Sequence, residues 1–114
     1  MKKFASIFFL LSIHAFAYDN YGAIAYSPSK GLYGYSYDYS SLQGAKYGAI
    51  SRCHADDCKI VVWFKNGCGA LATGTGGYGS GWGTTLSGAK HEALKACSLY
   101  SPDCHIVRWV CTTR

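Results

Sequence analysis

Residues 42–46 read LQGAK and residues 86–90 read LSGAK, so one short pattern returns 44 residues further along the chain. The same spacing carries Cys53 onto Cys97. Two longer segments also match: CKIVVW at 58–63 with CHIVRW at 104–109, and GAIA at 22–25 with GALA at 69–72. Two copies of a unit are too few for a solenoid, so the sequence predicts a single pseudo-symmetric domain.

Each unit, about residues 21–66 and 67–114, shows the same order of local patterns. A short apolar strand is followed by a turn and then by a strand in which aromatic and small residues alternate. A helix and a β-branched run close the unit, and we expect that run to be the central strand of its sheet. The predicted fold is α+β: a single small disulfide-stabilised domain of two pseudo-repeated β-β-α-β units. The β-branched runs are Ile60–Phe64 and Ile106–Val110.

Both predicted helices have a start signal and an apolar face. Ser40–Ser41 and Thr84–Thr85 offer side-chain oxygens to the unpaired amides of the first turn. Gly44, Gly48 and Gly88 weaken the helices by up to ~1 kcal/mol each. We expect a close approach of each helix to the sheet to compensate for this weakness.

The N-terminus has the three parts of a secretory signal peptide. Lys2 and Lys3 are followed by the apolar stretch 4–13 and by Ala15-Phe16-Ala17, which predicts cleavage before Tyr18. A membrane anchor is the alternative, but the apolar run has about half of the ~20 residues that cross a bilayer. We therefore predict a signal peptide at residues 1–17 and a periplasmic or secreted domain at residues 18–114 that is not an integral membrane protein.

All six cysteines follow the predicted cleavage point. An even number of cysteines behind an export signal is typical of a disulfide framework, here of three bonds. A zinc site is the alternative, but the chain contains no CxxC pair.

The repeat suggests how the cysteines pair. In each unit, one cysteine ends the helix and another starts the last strand, so each such pair is predicted to staple helix to strand. The remaining two cysteines follow the two β-branched runs, and we expect their bond to join the units. In that order, the predicted bonds are Cys53–Cys58, Cys97–Cys104 and Cys68–Cys111.

Several short motifs follow one another in a fixed order along residues 18–114. They are YGAIA at 21–25, GYSY at 34–37, Cys53 with Cys58, VVWF at 61–64, CGALA at 68–72, GWG at 81–83, and Cys97 with CHIVRWVC at 104–111. This combination resembles a family of secreted bacterial proteins, the domain of unknown function 4189 (DUF4189). The resemblance implies export and a duplicated α+β domain, and it implies no particular activity. One departure is that both helices are glycine-rich here, where the family tends to have alanine and charged residues.

The charge pattern argues against a nucleic-acid partner. The chain has a formal net charge of +5, to which the two lysines of the predicted leader contribute. The remaining Lys and Arg residues are spread singly, which is typical of a solvated surface rather than of a phosphate-binding stripe.

Few side chains offer catalytic chemistry. If all cysteines are paired, the chain has no thiolate nucleophile. Glu92 is the only glutamate, and the sequence places no second carboxylate beside it. His54, Asp56 and Asp57 lie in one short segment and are a possible metal site, but a solvated turn closed by a disulfide is favoured. We predict no catalytic residue, no bound metal and no cofactor.

Aromatic residues are the strongest candidates for binding, since the chain has ten Tyr and three Trp. Four tyrosines alternate with small residues at positions 33, 35, 37 and 39, so we expect them on one face of a strand. They form either an exposed stacking platform or a buried layer between sheet and helices, and burial is favoured for any single tyrosine. The candidate binding residues are Tyr35, Tyr37, Tyr39, Tyr78 and Trp82.

The three tryptophans are expected to differ in exposure. Trp63 and Trp109 match each other in the repeat and lie in apolar runs, so both are predicted in the core. Trp82 lies between two glycines and is predicted to be exposed.

Three functions remain open. The first is a non-enzymatic binding protein that acts on a protein partner, as an inhibitor, an immunity protein or a host-directed effector. The second is a module that binds a cell-wall or surface glycan through exposed Tyr and Trp. The third and least favoured is a hydrolase that uses His54 or His91 with a carboxylate.

Overall fold

The computed structural model describes residues 19–114; the predicted leader and its cleavage point lie outside this part. The elements in chain order are β1 (Tyr21–Ser27), β2 (Leu32–Tyr39), α1 (Leu42–Ser51), β3 (Lys59–Lys65), β4 (Cys68–Gly74), β5 (Gly77–Gly83), α2 (Leu86–Ser98) and β6 (His105–Cys111). The predicted β-β-α-β order of each unit is confirmed. Neither helix of the described part is long and apolar enough to span a membrane.

Each unit forms its own antiparallel three-stranded sheet, in the order β2-β1-β3 and β5-β4-β6. The prediction that Ile60–Phe64 and Ile106–Val110 are central strands is wrong, because β3 and β6 lie at sheet edges. The central strands are the alanine-rich β1 and β4, which are covered on both faces. The β-branched strands are apolar because one of their faces packs on the other sheet.

Alternation along the central strands determines the layers of the domain. Ala23 and Ala25 pack against α1, whereas Ile24 between them packs in the core between the two sheets. In β4, Leu71 enters the same core, and the alanines on either side of it face α2. The layers therefore run helix, sheet, sheet, helix, with the larger apolar side chains in the middle.

Strand glycines allow each helix to approach its sheet closely. A Cβ atom at Gly34 of β2 would collide with the carbonyl oxygen of Ala49 in α1. A Cβ atom at Gly79 of β5 would likewise collide with the backbone nitrogen of Cys97 in α2. The expected close approach is present, and it depends on glycines of the strands that the repeat places in equivalent positions.

The predicted helix starts are also present. The Ser41 hydroxyl accepts a hydrogen bond from the Gly44 amide at 3.0 Å, and the Thr85 hydroxyl accepts one from the Gly88 amide at 3.1 Å. Each bond satisfies an amide that the first helical turn leaves without a partner.

The structure contains three disulfides, Cys53–Cys58, Cys97–Cys104 and Cys68–Cys111, which are the pairs that the repeat suggests. Such bonds persist in oxidising compartments and are consistent with an exported protein.

The third bond does not join the units, so that expectation is wrong. Cys68 begins β4 and lies directly opposite Cys111, the last residue of β6, so the bond lies within the second sheet. In the first sheet, the corresponding strand ends carry Tyr21 opposite Lys65. At this position, only the second unit therefore has a disulfide.

An aspartate in each unit fixes the turn between the first two strands. Asp57 accepts hydrogen bonds from the buried Ser27 hydroxyl at 2.5 Å and from the Ser29 amide at 3.2 Å. At the equivalent place, Asp103 accepts bonds from the Ser101 hydroxyl and from the Thr75 amide. These two carboxylates connect the start of the last strand to a distant turn in both units.

The two aspartates predict a loss of stability in acid. Hydrogen bonds, first of all from Ser101, lower the pKa of Asp103 from 3.8 to about 2, and bonds from Ser27 lower the pKa of Asp57. A carboxylate with a lowered folded-state pKa stabilises the fold above its unfolded pKa, and this stabilisation is lost as the pH falls through the folded value. We expect the thermal midpoint to fall between pH 3.8 and about pH 2.

The variant Asp103→Asn tests this assignment. Its midpoint should lie below that of the unchanged chain at about pH 5, and the two midpoints should converge in acid. Asp56→Asn is the matched control, because Asp56 is an exposed neighbour of Asp57. Equal acid sensitivity of Asp103→Asn and the unchanged chain would contradict the assignment.

Candidate functional site

One edge of the first sheet lies beside one edge of the second. The edge strands β3 and β5 meet there, and the Ser80 hydroxyl donates a hydrogen bond to the Val61 carbonyl at 2.7 Å. Next to this contact is a cavity of about 430 Å³, which we call the edge groove. Its lining residues are Val61, Val62, Trp63, Phe64 and Lys65 of β3 and Trp82 of β5.

Two of the residues that line the edge groove are exposed tryptophans. Trp63 is 45% exposed and Trp82 is 58% exposed, and both residues line the same cavity. The predicted exposure of Trp82 is confirmed. The prediction that Trp63 and Trp109 lie in the core is wrong, since Trp109 is 46% exposed and Trp63 nearly as much. At these edge positions, the neighbouring side chains of the same strand fill the core and the tryptophan faces outward.

Two further cavities adjoin the edge groove along β5. The first, of about 760 Å³, is also lined by Trp82, together with Glu92, Lys95 and Leu99 of the α2 region. A cavity of about 470 Å³ shares Val61 with the groove, and Tyr100 lines it. Leu99 and Tyr100 are exposed. Leu99 and Trp82 line one cavity together, and exposed apolar residues gathered in this way are typical of an interaction site.

The opposite edge, where β2 lies near β6, has different side chains at equivalent positions. Tyr35 stands where β5 has Ser80, and Arg108 stands where β3 has Val62. The Arg108 guanidinium carbon lies 4.7 Å from the Tyr35 ring centroid and 5.3 Å from that of Tyr33. The two edges have therefore diverged. At the β2–β6 edge, a guanidinium stacks on two tyrosine rings, whereas at the β3–β5 edge the smaller Ser80 and Val62 lie beside the groove.

The tyrosines of β2 do not share one face, so that prediction is wrong. Tyr33 and Tyr35 pack on the core between the sheets, whereas Tyr39 packs against the cluster under α1. β2 carries one extra residue relative to β1 in this part, and Asp38 has a φ of 60°. This bulge interrupts the alternation of two and turns Tyr39 to the other face. Tyr37, before the bulge, is exposed.

The five candidate binding residues are not brought together in one site. Trp82 lines the edge groove, and Tyr78 lines an adjoining cavity while its ring contacts that of Tyr26 at 4.9 Å. Tyr35, Tyr37 and Tyr39 line a separate cavity of about 480 Å³ on the β2 side. The sequence missed Trp63, Leu99 and Tyr100, because nothing in an apolar run shows which of its members reach the surface.

The candidate metal and catalytic residues lie in different elements. His54 and Asp56 are exposed in the loop before β3, and His91 is exposed on α2. Asp57 is engaged by Ser27 and Ser29. In residues 19–114, no group of three or more His, Cys, Asp or Glu side chains is placed to hold a metal ion.

A family model described as "Domain of unknown function (DUF4189)" matches residues 21–111. The chain belongs to this family. Two curated relatives from Mycobacterium tuberculosis also match. The protein Rv1269c is 42% identical over 78 residues, which cover 68% of this chain and 61% of the relative. The uncharacterized protein Rv1813c is 34% identical over 92 residues, which cover 81% of this chain and 60% of the relative.

A solved structure is similar to this DUF4189 chain. The NMR structure of Rv1813c from Mycobacterium tuberculosis superposes with a TM-score of 0.63 at 32% identity, covering 81% of this chain and 74% of that one. The chain spans only about 60% of the length of the curated relatives it matches. The shared part is thus the duplicated α+β domain.

Proposed function

We propose that this DUF4189 chain is an exported, non-enzymatic binding domain that receives an extended segment of a protein partner in the edge groove. The observation that carries the proposal is the pair of half-exposed tryptophans, Trp63 and Trp82, that line one apolar cavity. In this proposal, the domain that carries the groove is periplasmic or secreted.

Tryptophan is well suited to anchor a partner. Its large ring buries much area at low conformational cost, and such residues carry a disproportionate share of binding free energy at protein interfaces. The groove is held on β-strands rather than on a loop, and disulfides tie the neighbouring elements together. A preformed site of this kind loses little entropy when it binds.

Replacement of either groove tryptophan by alanine should weaken the binding of peptides selected on the unchanged domain from a displayed random library. We expect Trp63→Ala and Trp82→Ala each to weaken the affinity by about 30-fold or more, the loss of about 2 kcal/mol typical of an anchor residue. Isothermal titration calorimetry with the purified peptides measures this change.

Trp109→Ala is the matched control. Trp109 is the repeat equivalent of Trp63 and is equally exposed, but it lies on the other edge strand. Its replacement should change the affinity by less than about threefold. Equal losses in all three variants, or no loss in the groove variants, would overturn the proposal.

A glycan is the second candidate ligand, and one observation favours it. In the larger adjoining cavity, Trp82 lies with Glu92, Lys95 and Thr84, so an aromatic face is combined with groups that can hydrogen-bond to hydroxyls. Titration of the tryptophan fluorescence with peptidoglycan fragments distinguishes the two ligands. A glycan should quench the fluorescence and lose affinity in Glu92→Gln, whereas a peptide in the edge groove should be insensitive to that change.

A further inference from the structure

A cavity of about 480 Å³ lies between β2 and the end of α1, away from the edge groove, and we call it the β2 cavity. The residues that line it are Tyr35, Ser36, Tyr37, Tyr39 and Arg52. Their repeat counterparts all line the larger cavity beside α2. In the same order, these counterparts are Ser80, Gly81, Trp82, Gly83 and Ala96. The same place in the fold is therefore open in both units, with different side chains.

The Tyr39 ring lies across α1, and the helix has glycines where the ring passes. A Cβ atom at Gly44 would be 3.2 Å from a carbon of the Tyr39 ring, and one at Gly48 would be 2.6 Å from the Tyr39 hydroxyl. In the second unit, the strand has Gly83 in place of Tyr39, and the helix has Glu92 in place of Gly48. Gly48 therefore makes room for a tyrosine that only the first unit has.

Tyr39 in turn orients Arg52, which caps the C-terminal end of α1. Nη1 of Arg52 donates hydrogen bonds to the Tyr39 hydroxyl at 3.2 Å and to the Gly48 carbonyl at 3.1 Å. Within residues 19–114, Nη1 makes all the hydrogen bonds of this guanidinium, and no carboxylate lies at ion-pairing distance from it. Nε and Nη2, which carry the other N–H donors of the side chain, are therefore open to a ligand.

A second guanidinium lies close to the same strand. The guanidinium carbon of Arg108 is 4.7 Å from the ring centroid of Tyr35, and Tyr35 also lines the β2 cavity. Nε of Arg108 is buried and has no hydrogen-bond partner in the described part of the chain. The acidic residue of this part of β2, Asp38, does not line the cavity, and its carboxylate accepts two hydrogen bonds from Thr113. The surroundings of the cavity therefore favour an anion over a cation.

The lining of the β2 cavity narrows the class of anion. The open side of an arginine binds a carboxylate or a phosphate through two parallel hydrogen bonds. A phosphate monoester carries nearly two negative charges and is typically bound by a cluster of arginines. Arg52 is the cation that lines this cavity, which matches the single charge of a carboxylate. Tyrosine rings offer apolar faces to a flat body, and the volume is in the usual range for a small-molecule site.

We propose that the β2 cavity binds a small ligand that carries one carboxylate on a sugar ring or an aromatic ring. The carboxylate pairs with Nε and Nη2 of Arg52, and the ring lies against Tyr37 and Tyr39. Tyr39 is also a positioning residue, because its hydroxyl holds Nη1 of Arg52. This site is separate from the edge groove, so the inference goes beyond the proposed function and does not depend on it.

Two matched pairs of probes test the carboxylate. Methyl β-D-glucuronide differs from methyl β-D-glucoside by a carboxylate in place of a hydroxymethyl group, and benzoate differs from benzamide by its charge. In NMR titrations of the labelled protein, one or both carboxylates should bind about tenfold more tightly than the neutral partner. The amide shifts should change at residues 35–39 and 52, and the pair that shows the preference identifies the ring. The inference is wrong if neither carboxylate binds more tightly than its neutral partner.

The variant Arg52→Gln should remove the preference, leaving the carboxylate and its neutral partner with equal affinity. Arg52 is exposed, so we expect this variant to fold. Lys95→Gln is the matched control, because it removes one positive charge from the equivalent cavity of the second unit. That control should keep the tenfold preference. Equal losses in the two variants would show a general effect of charge and would contradict a site at Arg52.

Two changes at Tyr39 test how the site is built. Tyr39→Phe keeps the ring but removes the hydroxyl, so it should weaken binding of the carboxylate severalfold and leave the neutral partner unchanged. A merely structural role of the hydroxyl would change both affinities alike. The double variant Tyr39→Gly with Gly48→Glu introduces the pair that the second unit has at these positions, places a carboxylate beside Arg52, and should abolish the preference.

Two further outcomes would overturn the inference. Tighter binding of glucose 6-phosphate than of methyl β-D-glucuronide would indicate a phosphate site. Shift changes at the indole groups of Trp63 and Trp82, without changes on β2, would place the ligand in the edge groove instead. The proposed function is tested separately, because peptides that depend on the two tryptophans should bind Arg52→Gln as tightly as the unchanged protein.

Discussion

The variant Phe64→Ala should lose about 3–5 kcal/mol of the free energy of unfolding, the usual cost of removing a buried phenylalanine ring. Phe64 is 1% exposed and lies in the core between the two sheets. Its ring lies against Gly22 of β1 and Gly69 of β4, where a Cβ atom would meet ring carbons. One side chain thus contacts the central strands of both units. Because glycine has no side chain, neither Gly22 nor Gly69 can fill the space that the alanine variant would leave.

Urea unfolding followed by circular dichroism measures the loss. Small domains have total stabilities of about 5–15 kcal/mol, so the alanine variant can be too unstable to purify. Phe64→Leu keeps most of the volume and should cost less than Phe64→Ala. Its stability can therefore be measured even where the alanine variant cannot be purified. Val110→Ala, at the repeat equivalent of Phe64, removes fewer buried atoms and should cost less as well. A larger loss in Val110→Ala than in Phe64→Ala would contradict the central role of this ring.

The position of Phe64 shows which parts of the fold can be predicted from the sequence. The repeat and the local signals establish the order of the elements, since Ser41 and Thr85 cap helices where hydroxyls precede an apolar face. Local patterns do not show which strands are neighbours. The run Ile60–Phe64 indicates a central strand because it is apolar, yet it is apolar only because the second sheet covers one face.

The candidate site was harder to predict, and the reasons are physical. A period of two assigns residues to faces only while the strand is regular, and the bulge at Asp38 ends that regularity before Tyr39. Exposure of Trp63 depends on its edge position, which the order of the strands determines. The edge groove also depends on how one sheet lies on the other, and on Ser80 being smaller than its equivalent, Tyr35. No local pattern contains that information.

Removal of the Cys68–Cys111 bond should be the most damaging of the disulfide losses. The bond closes a loop with a sequence separation of 43, against 5 for Cys53–Cys58. In the chain-entropy treatment, such loops correspond to about 4 kcal/mol and about 2 kcal/mol of stabilisation, respectively. The difference arises in the unfolded chain, where the longer loop is the stronger restriction.

Urea unfolding of two double variants compares these bonds. Cys68→Ala with Cys111→Ala should shift the midpoint more than Cys53→Ala with Cys58→Ala, although Cys53 is the more deeply buried cysteine. Cys68 and Cys111 lie opposite each other at the end of the β4–β6 ladder, so the bond also holds two strand ends together. The first sheet has no bond at this place, with Tyr21 opposite Lys65, so hydrogen exchange at the β4–β6 end should rise toward that of the β1–β3 end. An equal or smaller shift for Cys68 and Cys111 than for Cys53 and Cys58 would show that burial of sulfur, rather than loop closure, determines what these bonds contribute.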